Sequence, residues 1–412
     1  MKHHHVKAKS KKKSLFKKAV GKIHLYVGLT IGAIVFLVSI TGALYAFKAE
    51  VENLMLSEYY EHHEPNIEQK TILPIKEMER RVHAQSGQKY LPHWVEIPLD
   101  KTKTYRFNYY ERDVNAWHYF DEFPVFMTYY VNPYTGQIVG SYDQKNSFFN
   151  IVKYIHWGFL LNSDWGKYIV GIPTILFLVM VLSGIILWWP KNRKASKQRF
   201  WFQWKNIRSW RRRNYDLHTI VGFYASFLAV IVTITGLFYS FLFVQGLVYF
   251  VFSGGKTTFT DLEAIHNKAP LSAKTDGVYD KAIAITEQLH PNAYGYTFDL
   301  GYEHMDEHEH HNLYVFVKQL PYSYHKNHAV IIDENSGELL KTYNHDEKNF
   351  GEKVVAANYD IHVGAILGIW GKILAFISSL ACASLPVTGF LVWYGRNYGK
   401  KANKTVPLVS SV

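Results

Sequence analysis

Four stretches of this chain contain no Asp, Glu, Lys, Arg or His: residues 25–47, 168–189, 219–252 and 373–395. Each has at least 22 residues, and about 20 apolar residues suffice to cross the hydrocarbon core of a bilayer. Four such runs in one chain argue for four membrane-spanning helices. The first is too long for a secretory signal peptide and lacks a small-residue cleavage site.

Charge placement then orients the chain. The net charge is +12, which taken alone suggests nucleic acid. The charge is segregated, however. Residues 1–47 carry nine Lys and no acid, and the loop 190–215 carries ten Lys and Arg and no acid. The C-terminal tail adds Arg396, Lys400, Lys401 and Lys404. These segments fall on one side of a four-span topology, and the positive-inside rule makes that side the cytoplasm. Residues 48–167 hold 13 basic and 16 acidic residues and residues 253–365 hold 9 and 17, so both long loops are expected outside. Anionic lipid headgroups account for the basic segments, and nucleic acid is not an expected partner. The only cysteine, Cys382, lies in the fourth run, which excludes disulfides within the chain and all-cysteine iron–sulfur clusters.

The runs repeat in pairs. "HLYVGLTIGAIVFLVSITGALY" from His24 matches "HTIVGFYASFLAVIVTITGLFY" from His218. In both, Gly follows the His by four residues, Thr-Gly by 17 and 18, and Tyr by 21. "YIHWGFLLNSDWGK" before the second run matches "DIHVGAILGIWGK" before the fourth. Each continues to a hydroxyl-Gly pair, Ser183-Gly184 and Thr388-Gly389, and then to paired aromatics. The expected fold class is therefore a membrane α-helical protein of four transmembrane helices. They form two parallel repeats about a pseudo-two-fold axis along the membrane normal.

Between the spans the chain reads as two extracytoplasmic α+β domains. Helix-like 74–86 precedes "TYRFNYYE" and "MTYYVNPYTGQIVGSY", while "GVYDKAIAITEQLH" precedes "NLYVFVKQL" and "HAVIIDENSGELLKTY". Gly136 and Gly337 mark hairpin turns. The expected order is a basic N-terminus (1–22), a span (23–47), external domain 1 (48–153) and an interfacial helix with His156 (154–166). A span (167–189), a basic loop (190–215) and a third span (216–244) follow. External domain 2 (245–358), an interfacial segment with His362 (359–371), a span (372–395) and a cytoplasmic tail (396–412) complete it.

The His-x-x-x-Gly openings, the "NPYTG" hairpin and "IHWGFLL…SGIILWWP" resemble the PepSY-associated transmembrane family of iron-regulated membrane proteins and inner-membrane ferric-siderophore reductases. The resemblance covers about residues 15–400. It implies PepSY-like external domains, b-type haem on histidines, and iron-uptake reduction at the bacterial cytoplasmic (inner) membrane, while the charge placement puts both termini in the cytoplasm.

The residues point the same way. His24 and His218 fall at the cytoplasmic ends of spans one and three, and His156 and His362 at the external ends of spans two and four. A pseudo-two-fold axis sets each pair face to face, which is the arrangement needed for axial ligation of haem iron. Interfacial imidazoles at headgroup level are the alternative. Bare Zn or Cu would want further ligands, and few stand nearby. Gly28, Gly42, Gly222 and Gly236 share a helix face with His24 or His218. They are read as cofactor-binding positions that admit a flat macrocycle, or as ordinary membrane helix packing.

Two bis-His haems b would carry electrons from a cytoplasmic flavin/NAD(P)H reductase or a quinol to a ferric siderophore outside. No GxGxxG or Walker loop supplies a nucleotide site. An oxidoreductase is the leading reading. A non-redox PepSY anchor regulating an external protease or assembly is the alternative, and an iron-chelate transporter would need charged residues in its path that the spans lack. The loop "GYEHMDEHEHHNLY", with His304, His308, His310 and His311 among four acids, reads either as a metal collector or as a solvated turn. Lys167 and Lys372 read either as partners of haem propionates or as snorkelling side chains.

Overall fold

The structure is a computed structural model that describes residues 15–190, 192–205, 209–258, 277–300, 312–321 and 323–398. The histidine-rich loop 303–311 lies outside the described residues. In chain order the helices are α1 (Leu15–Tyr45), α2 (Lys48–Met55), α3 (Ser57–Tyr60), α4 (Ile75–Ser86), α5 (Tyr119–Glu122), α6 (Phe148–Gly158) and α7 (Ser163–Trp188). After these come α8 (Arg193–Phe200), α9 (Trp210–Ser240), α10 (Leu242–Phe252), α11 (Val278–Leu289), α12 (Phe350–Ala356), α13 (Asn358–His362) and α14 (Gly368–Asn397). Four helices are long and apolar enough to cross a membrane: Leu15–Tyr45, Ser163–Trp188, Trp210–Ser240 and Ala365–Asn397. Leu37, Ile172, Leu182, Phe227, Ile377 and Phe390 leave these helices exposed, as a lipid-facing surface requires.

The chain divides into two compact units. One comprises residues up to 40, 173–230 and those from 378 onward. Its core is small-residue packing of Ala225 and Ala229 against Val181 and Cys382, which lets helix backbones approach closely. Trp188 stacks on Phe223 at 3.7 Å between centroids.

The other unit, 41–172 and 231–377, contains an antiparallel sheet of eight strands: β1 (Trp94–Pro98), β2 (Tyr105–Glu111), β3 (Val125–Val131), β4 (Ile138–Asp143), β5 (Gly295–Asp299), β6 (Asn312–Lys318), β7 (Asn327–Asp333) and β8 (Leu339–Tyr343). Their spatial order is β4-β3-β2-β1-β5-β6-β7-β8. β1 pairs with β5 over Trp94–Pro98 and joins two four-stranded meanders, one from each expected α+β domain, into one sheet. Strand alternation sends Val95, Ile97, Phe107, Phe298, Val315 and Val317 to one face. There they bury Ile75, Met78 and Val82 of α4 and Val278 and Ala282 of α11, residues spaced at helical periodicity. The two terminal hairpins share a turn chemistry. The Asn132 carboxamide accepts from the Tyr134 amide at 2.9 Å, and the Asp333 carboxylate accepts from the Asn335 amide at 2.7 Å. Gly136 and Gly337 take the left-handed conformation at φ 70° and 69°, which side chains resist.

The third apolar run departs from a single span ending at residue 244. Phe241 adopts extended backbone, φ −138° and ψ 117°, so α9 stops at Ser240 and a separate short helix, α10, begins at Leu242.

Candidate functional site

Each of the four repeat-equivalent histidines meets a hydroxyl-Gly pair on another helix. In the first unit, His24 of α1 bonds through Nδ1 to Ser183 Oγ of α7 at 2.9 Å. His218 of α9 bonds through Nδ1 to Thr388 Oγ1 of α14, also at 2.9 Å. In the second unit, His156 of α6 meets Thr41 Oγ1 of α1 at 3.2 Å. His362 of α13 meets Thr235 Oγ1 of α9 at 2.9 Å.

The hydroxyls fix the tautomer. Ser183 donates its proton to the Met180 carbonyl at 2.9 Å, Thr388 to the Ser384 carbonyl at 2.8 Å, and Thr235 to the Ile231 carbonyl at 2.8 Å. With that proton committed to its own helix, each oxygen accepts from the imidazole Nδ1–H. The Nε2 lone pair is then left for a ligand, the arrangement by which outer partners orient metal-binding histidines.

The neighbouring glycine makes room for the ring. An added Cβ would meet imidazole Cε1 at 3.0 Å at Gly42 (His156), 3.1 Å at Gly236 (His362), 3.1 Å at Gly389 (His218) and 3.4 Å at Gly184 (His24). Two side-chain amides buttress the same segments. Asn214 donates to the Thr388 carbonyl at 2.9 Å, and Asn358 to the Thr235 carbonyl at 3.1 Å.

The histidines come together as two pairs. Ring centroids of His24 and His218 stand 6.4 Å apart, and those of His156 and His362 stand 6.1 Å apart. Two imidazoles on opposite sides of one metal, with bonds of about 2 Å, place their centroids roughly 6 Å apart. Burial, with the neighbouring His156, holds the His362 imidazole well below the usual histidine pKa, so it stays neutral as a ligand must. Among the described residues no group of three His, Cys, Asp or Glu side chains could hold a bare ion.

The glycines divide differently from the sequence expectation. Gly42 and Gly236 were placed with His24 and His218; they lie instead against the rings of His156 and His362. Eighteen residues return a side chain to the same azimuth but five turns farther along the helix, where a different imidazole waits. Gly28 faces Met180 and Gly222 faces Leu385. The hydroxyl partners were visible only as a recurring phrase; nothing in one-dimensional spacing says which histidine each would meet.

The two lysines singled out in the sequence have partners within the protein. Lys372 is buried and bonds Glu50 at 2.7 Å, and Lys167 lies over the Tyr168 ring. Elsewhere, His62 is buried and bonds the Lys101 carbonyl at 2.9 Å.

Residues 22–396 match the family described as the PepSY-associated TM region. The chain belongs to that family. With its four candidate spans it is a multi-pass membrane protein carrying an antiparallel-sheet region. No curated protein matches the chain.

Proposed function

We propose that the protein is a di-haem b electron carrier of the bacterial cytoplasmic membrane that reduces a ferric chelate outside the cell membrane. His24 with His218 would hold one haem and His156 with His362 the other. The haem iron, when bound, supplies one-electron chemistry whose potential its axial ligands and their hydrogen bonds tune. The observation that carries this reading is the fourfold recurrence of one arrangement: Nδ1 hydrogen-bonded to a hydroxyl, the ring edge seated on glycine, and a second imidazole roughly 6 Å away. Two imidazoles with no third protein ligand among the described residues suit an iron already held by a macrocycle better than a bare ion.

The chain's own residues orient the imidazoles and hold the proton on Nδ1, which would leave the Nε2 lone pair for the iron. Held by two imidazoles of the protein, the haem would supply electron transfer rather than oxygen activation. The parallel two-copy arrangement, with both termini in the cytoplasm, belongs to the same proposal, as does a quinol or flavin/NAD(P)H reductase donor on the cytoplasmic side.

The test is spectroscopic. Protein purified from haem-replete cells should show a b-type spectrum that sharpens with dithionite and reverts on adding a ferric chelate. Colourless protein would instead support a non-redox PepSY anchor.

A further inference from the structure

The sheet face opposite the apolar core is charged and aromatic. Register places Arg106 beside Glu96 and Tyr130 in neighbouring strands. Through Thr297 the same face continues to Phe316, and Lys318 follows two residues on. Lys48 and Glu52 of α2, Lys153 of α6 and Tyr324 belong to the same neighbourhood. Lys48 lies within electrostatic reach of both Tyr324 and Glu52, and Lys153 within reach of Lys48 and Glu52.

Two of these cations are satisfied. Lys48 Nζ bonds Glu52 at 3.0 Å, and Arg106 bonds Glu96 at 3.1 Å. Lys153 and Lys318 are not. Among the described residues neither forms an ion pair. The Lys153 ammonium stands 4.5 Å from the Tyr154 ring centroid, and that of Lys318 stands 5.1 Å from Tyr324 and 5.5 Å from Tyr294. The nearby carboxylate of Asp360 is already engaged. It is buried and accepts from the amides of Tyr324 at 3.0 Å and His325 at 3.2 Å, and from the His325 ring.

Half-burying a cation without a bonded carboxylate is unfavourable, and Glu52 near Lys153 and Glu96 and Asp360 near Lys318 offset this only in part. Burial, with Lys48 nearby, pushes Lys153 down to about 8, and burial lowers Lys318 as well. A ligand that brings negative charge would relieve both. The cluster also borders the second imidazole pair. Lys153 precedes His156 by one helical turn, and Tyr324 packs at 5.0 Å on Tyr359, three residues before His362. Tyr324, Tyr294 and Phe316 are each close to half exposed and offer ring faces to an aromatic chelator.

We propose that this lysine–tyrosine face binds the electron acceptor, and that the acceptor is an anionic ferric chelate. The proposal rests on the haem reading for the acceptor's reduction, whereas the binding itself requires no haem. A phospholipid phosphate offers the same charge, so the test separates the two sources.

Oxidised protein in phosphatidylcholine nanodiscs is dialysed against a radio-iron-labelled anionic tris-catecholate ferric complex, and separately against cationic ferrioxamine B. The anion should bind at least about tenfold more tightly, with an affinity that falls as salt rises. The double variant K153Q/K318Q should lose about tenfold for the anion and nothing for the cation, and K153R/K318R should retain binding. Equal affinity for the two chelates, or anion binding unchanged in K153Q/K318Q, would overturn the proposal. So would a variant defect that appears only as weaker association with phosphatidylglycerol. If the Gln variant does not fold, the anion-to-cation ratio and salt dependence of the unaltered protein still decide. Haem content, read from the same samples, tests the redox assignment separately.

Discussion

Thr388 shows how much a single hydroxyl does here. It spends its proton on the Ser384 carbonyl and its lone pair on His218, so one oxygen fixes both a helix turn and an imidazole tautomer. Replacing it with Val keeps the shape and removes the hydroxyl acceptor of Nδ1–H, leaving the Leu385 backbone as the imidazole's remaining partner. The cost is about 1–3 kcal/mol, and the expected outcome is faster loss of one haem with the other retained, read by haem transfer to a scavenger globin. Gly236→Ala is a steric counterpart. Its Cβ would stand 3.1 Å from His362 Cε1, so the ring must shift, and only the haem held by His156 and His362 should be lost or spectrally altered. Gly222→Ala, which meets only a flexible leucine methyl at 3.4 Å, should leave both haems in place. Lys153 adds a pH dependence. It faces Lys48 and Glu52 of α2, Phe126 of β3 and Tyr154 of its own helix. Its ammonium is present below the lowered value of about 8, so affinity for an anionic chelate should fall as pH rises through 8. An affinity flat from pH 7 to 9 would count against its role.

At the scale of elements, local pattern and long-range pairing separate cleanly. α4 spans Ile75–Ser86 where periodicity placed a helix over 74–86, because Ile75, Met78 and Val82 recur on one face. α11 and the two terminal hairpins were legible for the same reason, as runs whose period and turn residues are local. The β1–β5 pairing was not, since Glu96 meets Thr297 across 201 residues and no short-range signal encodes the match. The helix break at Phe241 was also hidden, because the uncharged run continues unbroken to Phe252. Within the candidate site, the histidines announced themselves by duplication. The seating of each ring on a hydroxyl-Gly pair did not, because it depends on which helices pack together. Met78 is fully buried between α4 and the sheet. Met78→Ala should cost about 2–5 kcal/mol, seen as a lower thermal midpoint with the haem spectrum of the folded fraction unchanged.

At the scale of the molecule, the family assignment and four apolar helices establish a multi-pass membrane protein, and the proposed function adds iron to two symmetric pairs of imidazoles. The most direct measurement is haem stoichiometry, by pyridine haemochrome and protein assay, for the unaltered protein and for His24→Ala, His362→Ala and the double variant. The expected result is two haems, then one in each single variant with distinguishable spectra, then none. Protein without haem, or single variants that keep both haems, would contradict the assignment of His24, His218, His156 and His362 as two axial pairs.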